Sequence, residues 1–313
     1  MANRDYSRMS DAELAIRALY YIVRFLWRLE RQRNARQGNK WFFVSFLKDI
    51  LFFQVILFPL SSRMRLLIAT YFWLSYVDDI VDEDLDLPNG LSRQSFIAQK
   101  TALIDAIPDL ADSDLFPEDL LLVYILRLSG KRGMDFSNNI KEIWPIMLWD
   151  DQRRVDKRIV SGQELYWHAA NQDYLCLEIF AKIFGGDLER LRGSMANLKG
   201  IVTRSDWLFD IDEDLSKGLV NVPSEAMNAY GINLENLLAC KGWHDLRKIP
   251  GFLEFYMREL KNLEVAWREW PDKKFCDIFA SRTVRFFAGK LANYSQGAIK
   301  NKLIRARSIS GMS

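Results

Sequence analysis

The sequence predicts an all-α fold, and three observations carry that expectation. Apolar residues recur at helical spacing along almost the whole chain. Runs that alternate with period two between turn residues are scarce. Prolines fall mostly at the seams between periodic segments. In order, the segments begin with 11–37 and 40–58, the second closed by Pro59. Segment 62–86 stops before Pro88, segment 92–106 stops before Pro108, and Pro117 stands at the head of 116–131. Segment 134–155 contains Pro145, where a kink or a break is expected. Segments 162–184 and 186–217 follow, Pro223 and Pro250 border a stretch to which no helix is assigned, and Pro271 divides 251–269 from 272–307. No Gly/Ser linker, internal repeat or low-complexity segment interrupts them, so 1–313 reads as one domain, with an N-terminal helix in 1–40 and a basic tail over 296–313.

At 313 residues and 49% hydrophobic content the chain can bury a sizeable core. Its 43 Lys and Arg against 41 Asp and Glu leave a formal charge of +2, so no global field argues for nucleic acid as a partner. Cys176, Cys240 and Cys276 are dispersed and odd in number, which fits buried thiols in a reducing compartment and a cytoplasmic location. The N-terminal residues are charged and lack the apolar core of a secretory signal. The stretch from Trp41 to Leu60 is interrupted by Lys48, Asp49 and Gln54 and reads as a buried helix rather than a span.

Two acidic clusters stand out. In the first, Asp78 and Asp82 are four residues apart, with Asp79 beside them, so both carboxylates share one helical face. In the second, Asp206, Asp210 and Asp214 repeat that spacing in a single stripe next to Trp207, Leu208 and Phe209. Like charges at this spacing repel, and a bound cation relieves the repulsion. Oxygen donors without histidine or thiolate suit Mg²⁺, which shares its coordination shell with phosphate oxygens, so the pattern points to a diphosphate. Either cluster alone also fits a solvated acidic helix end. A di-iron carboxylate bundle would need Glu-x-x-His pairs, which the only histidines, His168 and His244, do not form; each reads as a packed or surface residue.

Around these clusters the sequence resembles the squalene/phytoene synthase family, of the class I terpenoid synthase fold. The first block resembles the family's Pro-x-x-x-Arg, Tyr and Asp-Asp-x-x-Asp run through Pro59, Arg63, Tyr71, Asp78, Asp79 and Asp82. The second resembles its Asp-x-x-x-Asp, Gly, Val-Pro and Tyr-Gly-Ile run through Asp210, Asp214, Gly218, Val222, Pro223, Tyr230, Gly231 and Ile232. Asp150, Glu164 and Leu165 echo a weaker stretch between them. The resemblance spans about residues 45–295. It implies a helical bundle with a central cavity, in which the two motifs line opposite walls and several Mg²⁺ ions hold the diphosphate of a farnesyl or geranylgeranyl substrate. Asp78, Asp82, Asp210 and Asp214 are then the catalytic carboxylates, and Asp79 and Asp206 complete the metal set. Arg63, Arg204 and Lys217 are candidates to bind the substrate's diphosphate. Tyr71, Trp73, Tyr76, Trp167, Tyr174, Trp207 and Phe209 are candidates to line the cavity and stabilise a carbocation, alongside the alternative of ordinary core packing.

The implied activity is head-to-head condensation of two prenyl diphosphates. Several family cations are replaced: Ser75 stands three residues before Asp78, Phe209 precedes Asp210, and Leu219 follows Gly218. These losses motivate an alternative, cyclisation of one prenyl diphosphate. Substitute cations are Arg204, Arg282, Arg285, Lys300, Lys302, Arg305 and Arg307. A third reading, a non-catalytic assembly factor, is opposed by retention of the aspartates. Substrates with long hydrocarbon tails partition into lipid, so weak membrane-surface association stays open.

Overall fold

The computed structural model describes residues 9–22, 61–83, 85–87, 90–107, 117–198, 200–269, 293, 296–304 and 306. Every regular element among them is helical. After a helical stretch over 11–22, the elements are α1 (Ser62–Val81), α2 (Arg93–Asp105), a 3₁₀ turn (Pro117–Asp119), α3 (Leu120–Gly130), α4 (Ser137–Asp156), α5 (Gly162–Phe184) and α6 (Leu188–Leu198). They continue with α7 (Ile201–Phe209), α8 (Ile211–Ser216), α9 (Ser224–Tyr230), α10 (Leu234–Leu238), α11 (Trp243–Leu246) and α12 (Phe252–Glu269), and residues 296–304 are again helical. No described helix is long and apolar enough to cross a membrane. The chain divides into two compact units, Met1–Leu148 and Trp149–Ser313.

In the N-terminal unit α1 packs on α3. Leu66, Ala69, Trp73, Val77 and Ile80 of α1 are buried, a helical stripe facing one way. The stretch 11–22 buries Leu14, Ala18 and Ile22 at four-residue spacing, and the Met9 carbonyl accepts from Arg127 of α3 at 2.6 Å. An ion pair lies in this core. Lys100 of α2, fully buried, donates to both oxygens of Asp119 at 2.5 Å, and the Trp73 indole N–H reaches the same carboxylate at 3.4 Å. Burial pulls the Lys100 pKa down, and Asp119 partly offsets it.

In the C-terminal unit α5 packs on α6, α7 and α9, and α12 packs on α7 and α9. Helix α5 starts at Ser161, whose hydroxyl accepts from the Glu164 N–H at 3.1 Å, and stops at Gly185, which takes φ 73°. Pro145 breaks nothing: α4 runs from Ser137 to Asp156 through it, at the cost of one donor in the helical ladder.

Three expectations need correction. The single helix over 186–217 is three helices. Gly200, at φ 60°, separates α6 from α7, because a Cβ there would lie 2.4 Å from the Ala169 Cβ and 2.7 Å from its carbonyl carbon; only glycine lets the chain cross α5 so closely. The helix expected to reach residue 86 stops at Val81, where Asp82 caps it and Glu83 turns to φ 61°. The stretch between Pro223 and Pro250 is not featureless but holds α9, α10 and α11, each too short for a full periodic pattern. Expected helix 40–58, residues 23–37 and most of 272–307 lie outside the described residues.

Candidate active site

The first carboxylate row occupies the last turn of α1. The Asp82 N–H donates to the Asp78 carbonyl at 2.7 Å, so the two residues keep their i,i+4 register, and Asp78, Asp79 and Asp82 are all half-buried. No basic residue lies in that turn of α1. A cation comes instead from α2: Arg93 donates to the Val81 carbonyl and to the Glu83 carboxylate. Of the other sequence candidates in this unit, Arg63 is exposed and Tyr71 is half-buried, edge-on to Phe72. Trp73 and Tyr76 are buried in the core, Trp73 with its indole turned to Asp119.

The second row spans the bend between α7 and α8. Asp210 departs from helical dihedrals, at φ −109° and ψ 15°, yet its own N–H and carbonyl keep their i,i+4 partners. The Asp210 N–H donates to the Asp206 carbonyl at 3.0 Å and the Asp214 N–H to the Asp210 carbonyl at 2.8 Å, so all three aspartates remain in i,i+4 register. Asp206 is exposed, while Asp210 and Asp214 are half-buried. Burial raises the Tyr256 hydroxyl pKa, and the nearby charges of Asp212 and Asp210 raise it further, which puts those carboxylates within electrostatic reach of α12. Helix α7 ends at Phe209, whose carbonyl accepts from the Lys302 ammonium at 2.5 Å. The same ammonium sits 4.7 Å from the centre of the Phe209 ring.

Helix α8 closes in a Schellman turn. The Leu219 N–H donates to the Asp214 carbonyl at 2.9 Å and the Gly218 N–H to the Leu215 carbonyl at 3.0 Å, with Gly218 at φ 84°. The reversal brings Asn221 back toward the helix, where its side-chain N–H donates to Asp214 Oδ2 at 2.8 Å. Behind Asn221 stands Arg153, 1% exposed, which donates to Asn221 Oδ1 at 3.0 Å, to the Val220 carbonyl at 2.6 Å and to Asp150 Oδ1 at 2.8 Å. Its guanidinium lies 4.4 Å from the Trp149 ring. Burial disfavours the Arg153 charge, and Asp150 first, then Asp214, offset this. His168 is packed, its ring stacked on Trp149 at 3.8 Å and its Nε2 3.7 Å from Asp150 Oδ2.

The remaining candidates of this unit are dispersed. Trp207 is buried with Val160, Leu165 and Ala169, Tyr174 is buried, and Trp167 is 66% exposed. Arg204 pairs with Glu259 at 2.8 Å and lies 4.3 Å from the Tyr166 ring. Lys217 pairs with Glu213 at 3.0 Å. A groove of about 390 Å³ opens in this unit, lined by Tyr166, Tyr230, Phe255, Glu225 and Arg258 among others, and by none of the aspartates. Among the described residues no three His, Cys, Asp or Glu side chains converge as a ready-made metal site. Arg282, Arg285, Arg305 and Arg307 lie outside the described residues.

Sequence reasoning missed Arg93, Arg153 and Asn221. Nothing local marks Arg93, whereas the positive-φ requirement at Gly218 signals the reversal that returns Asn221 to α8. No protein-family model matches the sequence, and no curated protein matches it at a significant level, so the resemblance described above rests on its motifs alone.

Proposed function

We infer that this chain is a Mg²⁺-dependent isoprenoid synthase that ionises an allylic prenyl diphosphate and forms carbon–carbon bonds, by squalene/phytoene-synthase-like condensation of two substrates. The observation that carries the reading is the four-residue register of both carboxylate rows, Asp78 and Asp82 at the C-terminal end of α1 and Asp206, Asp210 and Asp214 across the bend from α7 into α8, which stacks like charges on one face. The C-terminal end of α1 already holds about half a negative charge, which adds to the repulsion among Asp78, Asp79 and Asp82. Hard oxygen donors in such rows suit a divalent cation.

The donor chemistry fits Mg²⁺. That ion is typically held by one or two carboxylates, with water and phosphate oxygens filling the rest of its shell, so three converging side chains are not required. Asp78, Asp79 and Asp82 would hold it on one row, and Asp206, Asp210 and Asp214 on the other. When bound it supplies Lewis-acid stabilisation of the departing diphosphate. Arg93 and Lys302 add fixed positive charge at the two helix ends. Tyr71, two turns before Asp78 and on the same face, would shield a carbocation from water.

Cyclisation of a single prenyl diphosphate is the second reading, and one observation favours it. Arg204, a candidate cation for a second diphosphate, is already engaged by Glu259 and Tyr166. Incubation with Mg²⁺ and geranyl, farnesyl or geranylgeranyl diphosphate separates the two. A hydrocarbon with twice the substrate's carbon number supports condensation, and a product with the same carbon number supports cyclisation. Absence of diphosphate release with all three sinks both.

A further inference from the structure

We propose that Asn221 and Arg153 are positioning residues for the Asp214 carboxylate, a role that rests on the functional reading above. Three features converge on it. Helix α8, six residues long, is too short to be stable by itself and depends on tertiary contacts. The Schellman turn at Gly218 returns the chain so that Asn221, 4% exposed, meets Asp214 Oδ2. The amide cannot turn round: a guanidinium has only donors, so the Asn221 oxygen faces Arg153 and its NH₂ group faces Asp214. Arg153 is in turn fixed at three points, by Asp150, the Val220 carbonyl and the Trp149 ring.

The chain Asp150–Arg153–Asn221–Asp214 therefore runs from a rigid buried anchor on α4 to a half-buried carboxylate at the bend. Its effect is directional. One oxygen of Asp214, Oδ2, accepts from the neutral Asn221 amide, which orients the group as hydrogen-bonded outer partners do for metal-binding carboxylates.

The test uses the full chain, Mn²⁺ as a paramagnetic substitute for Mg²⁺, and inorganic pyrophosphate. Asn221→Ala is expected to weaken Mn²⁺ binding in the presence of pyrophosphate by roughly 10–100-fold, read by electron paramagnetic resonance. Arg153→Lys, which keeps the charge and loses the planar fork, is expected to weaken it in the same direction. In metal-free protein the Asn221 side-chain amide should give two separated, slowly exchanging proton resonances that shift in Asp214→Asn. If Asn221→Ala lowers the melting temperature but leaves Mn²⁺ affinity unchanged, the pair is structural only and the proposal is overturned. If the native chain binds no Mn²⁺ with pyrophosphate, the functional reading falls instead. The amide resonances then decide the positioning of Asp214 separately, and their indifference to Asp214→Asn overturns it.

Discussion

Asp173 fixes where α7 begins. Its buried carboxyl, on α5, accepts from the Val202 N–H at 2.9 Å, the Thr203 N–H at 3.0 Å and the Thr203 hydroxyl at 2.7 Å. It thereby caps from outside a helix whose own N-cap residue, Gly200, has no side chain. Burial pushes its pKa up to about 6 from the ordinary aspartate value of 3.8, with the hydrogen bonds from Thr203 and Val202 opposing. Folded, the group keeps its proton to the higher pH, so the folded state binds more protons between those values. Stability from this residue is full below the lower value and is lost as pH rises through about 6, by on the order of 3 kcal/mol. Urea unfolding from pH 4 to 7 should show that decline, and Asp173→Asn should flatten it; an unchanged slope in the variant refutes the assignment. The Lys100–Asp119 pair makes a sharper case. Lys100→Met should cost about 3–5 kcal/mol by leaving Asp119 buried without its cation, while Lys100→Met/Asp119→Leu should recover most of that. A double variant no more stable than the single one would show that the carboxylate has another essential partner. Neither group was legible in the sequence, because a buried charge is recognised only by its partner, here 19 or 30 residues away.

Both carboxylate-bearing helices receive a cation from elsewhere in their own unit, α1 from Arg93 and α7 from Lys302. A cation at a helix C-terminus stabilises it by roughly 0.3–1 kcal/mol when exposed and up to about 2 when partly buried. Lys302→Met should therefore lower the melting temperature by a few degrees. An unchanged melting temperature would mean that the Phe209 carbonyl is served equally well by water. Gly200→Ala should be more damaging, about 2–4 kcal/mol, since it combines positive φ with a clash against the Ala169 backbone. Helices 92–106, 116–131, 134–155, 162–184 and 251–269 were legible because each is long and borders a proline or a turn. The divisions at Gly200 and Asp210 were not. The first depends on contact with α5, and at the second a change of dihedrals at one residue ends the helix while Asp210 itself keeps both of its i,i+4 hydrogen bonds.

For the molecule as a whole, a bound metal and diphosphate would carry a thermodynamic consequence. A ligand that binds only the folded state at a hundred times its dissociation constant adds about 2.7 kcal/mol, so Mg²⁺ with inorganic pyrophosphate should raise the melting temperature. Asp210→Asn should abolish that rise while leaving the metal-free protein no less stable, since it removes one of several like charges. If the rise survives in Asp210→Asn, the second row is not where the pair binds. The carboxylate rows themselves were readable, because a four-residue interval on a helix is a local property. Their supporting cations were not, because Arg93 and Lys302 are joined to them only by the fold. The contact between Lys302 and Phe209 also bears on how the chain is made. Ninety-three residues separate donor and acceptor, so at about 5–20 residues per second the ribosome works for roughly 5–20 s after finishing Phe209 before it adds the lysine that caps α7. During that interval the helix carrying Asp206 has its start fixed by Asp173 and its end uncapped, and a nascent chain arrested in this window should be cut by protease near the bend at Asp210.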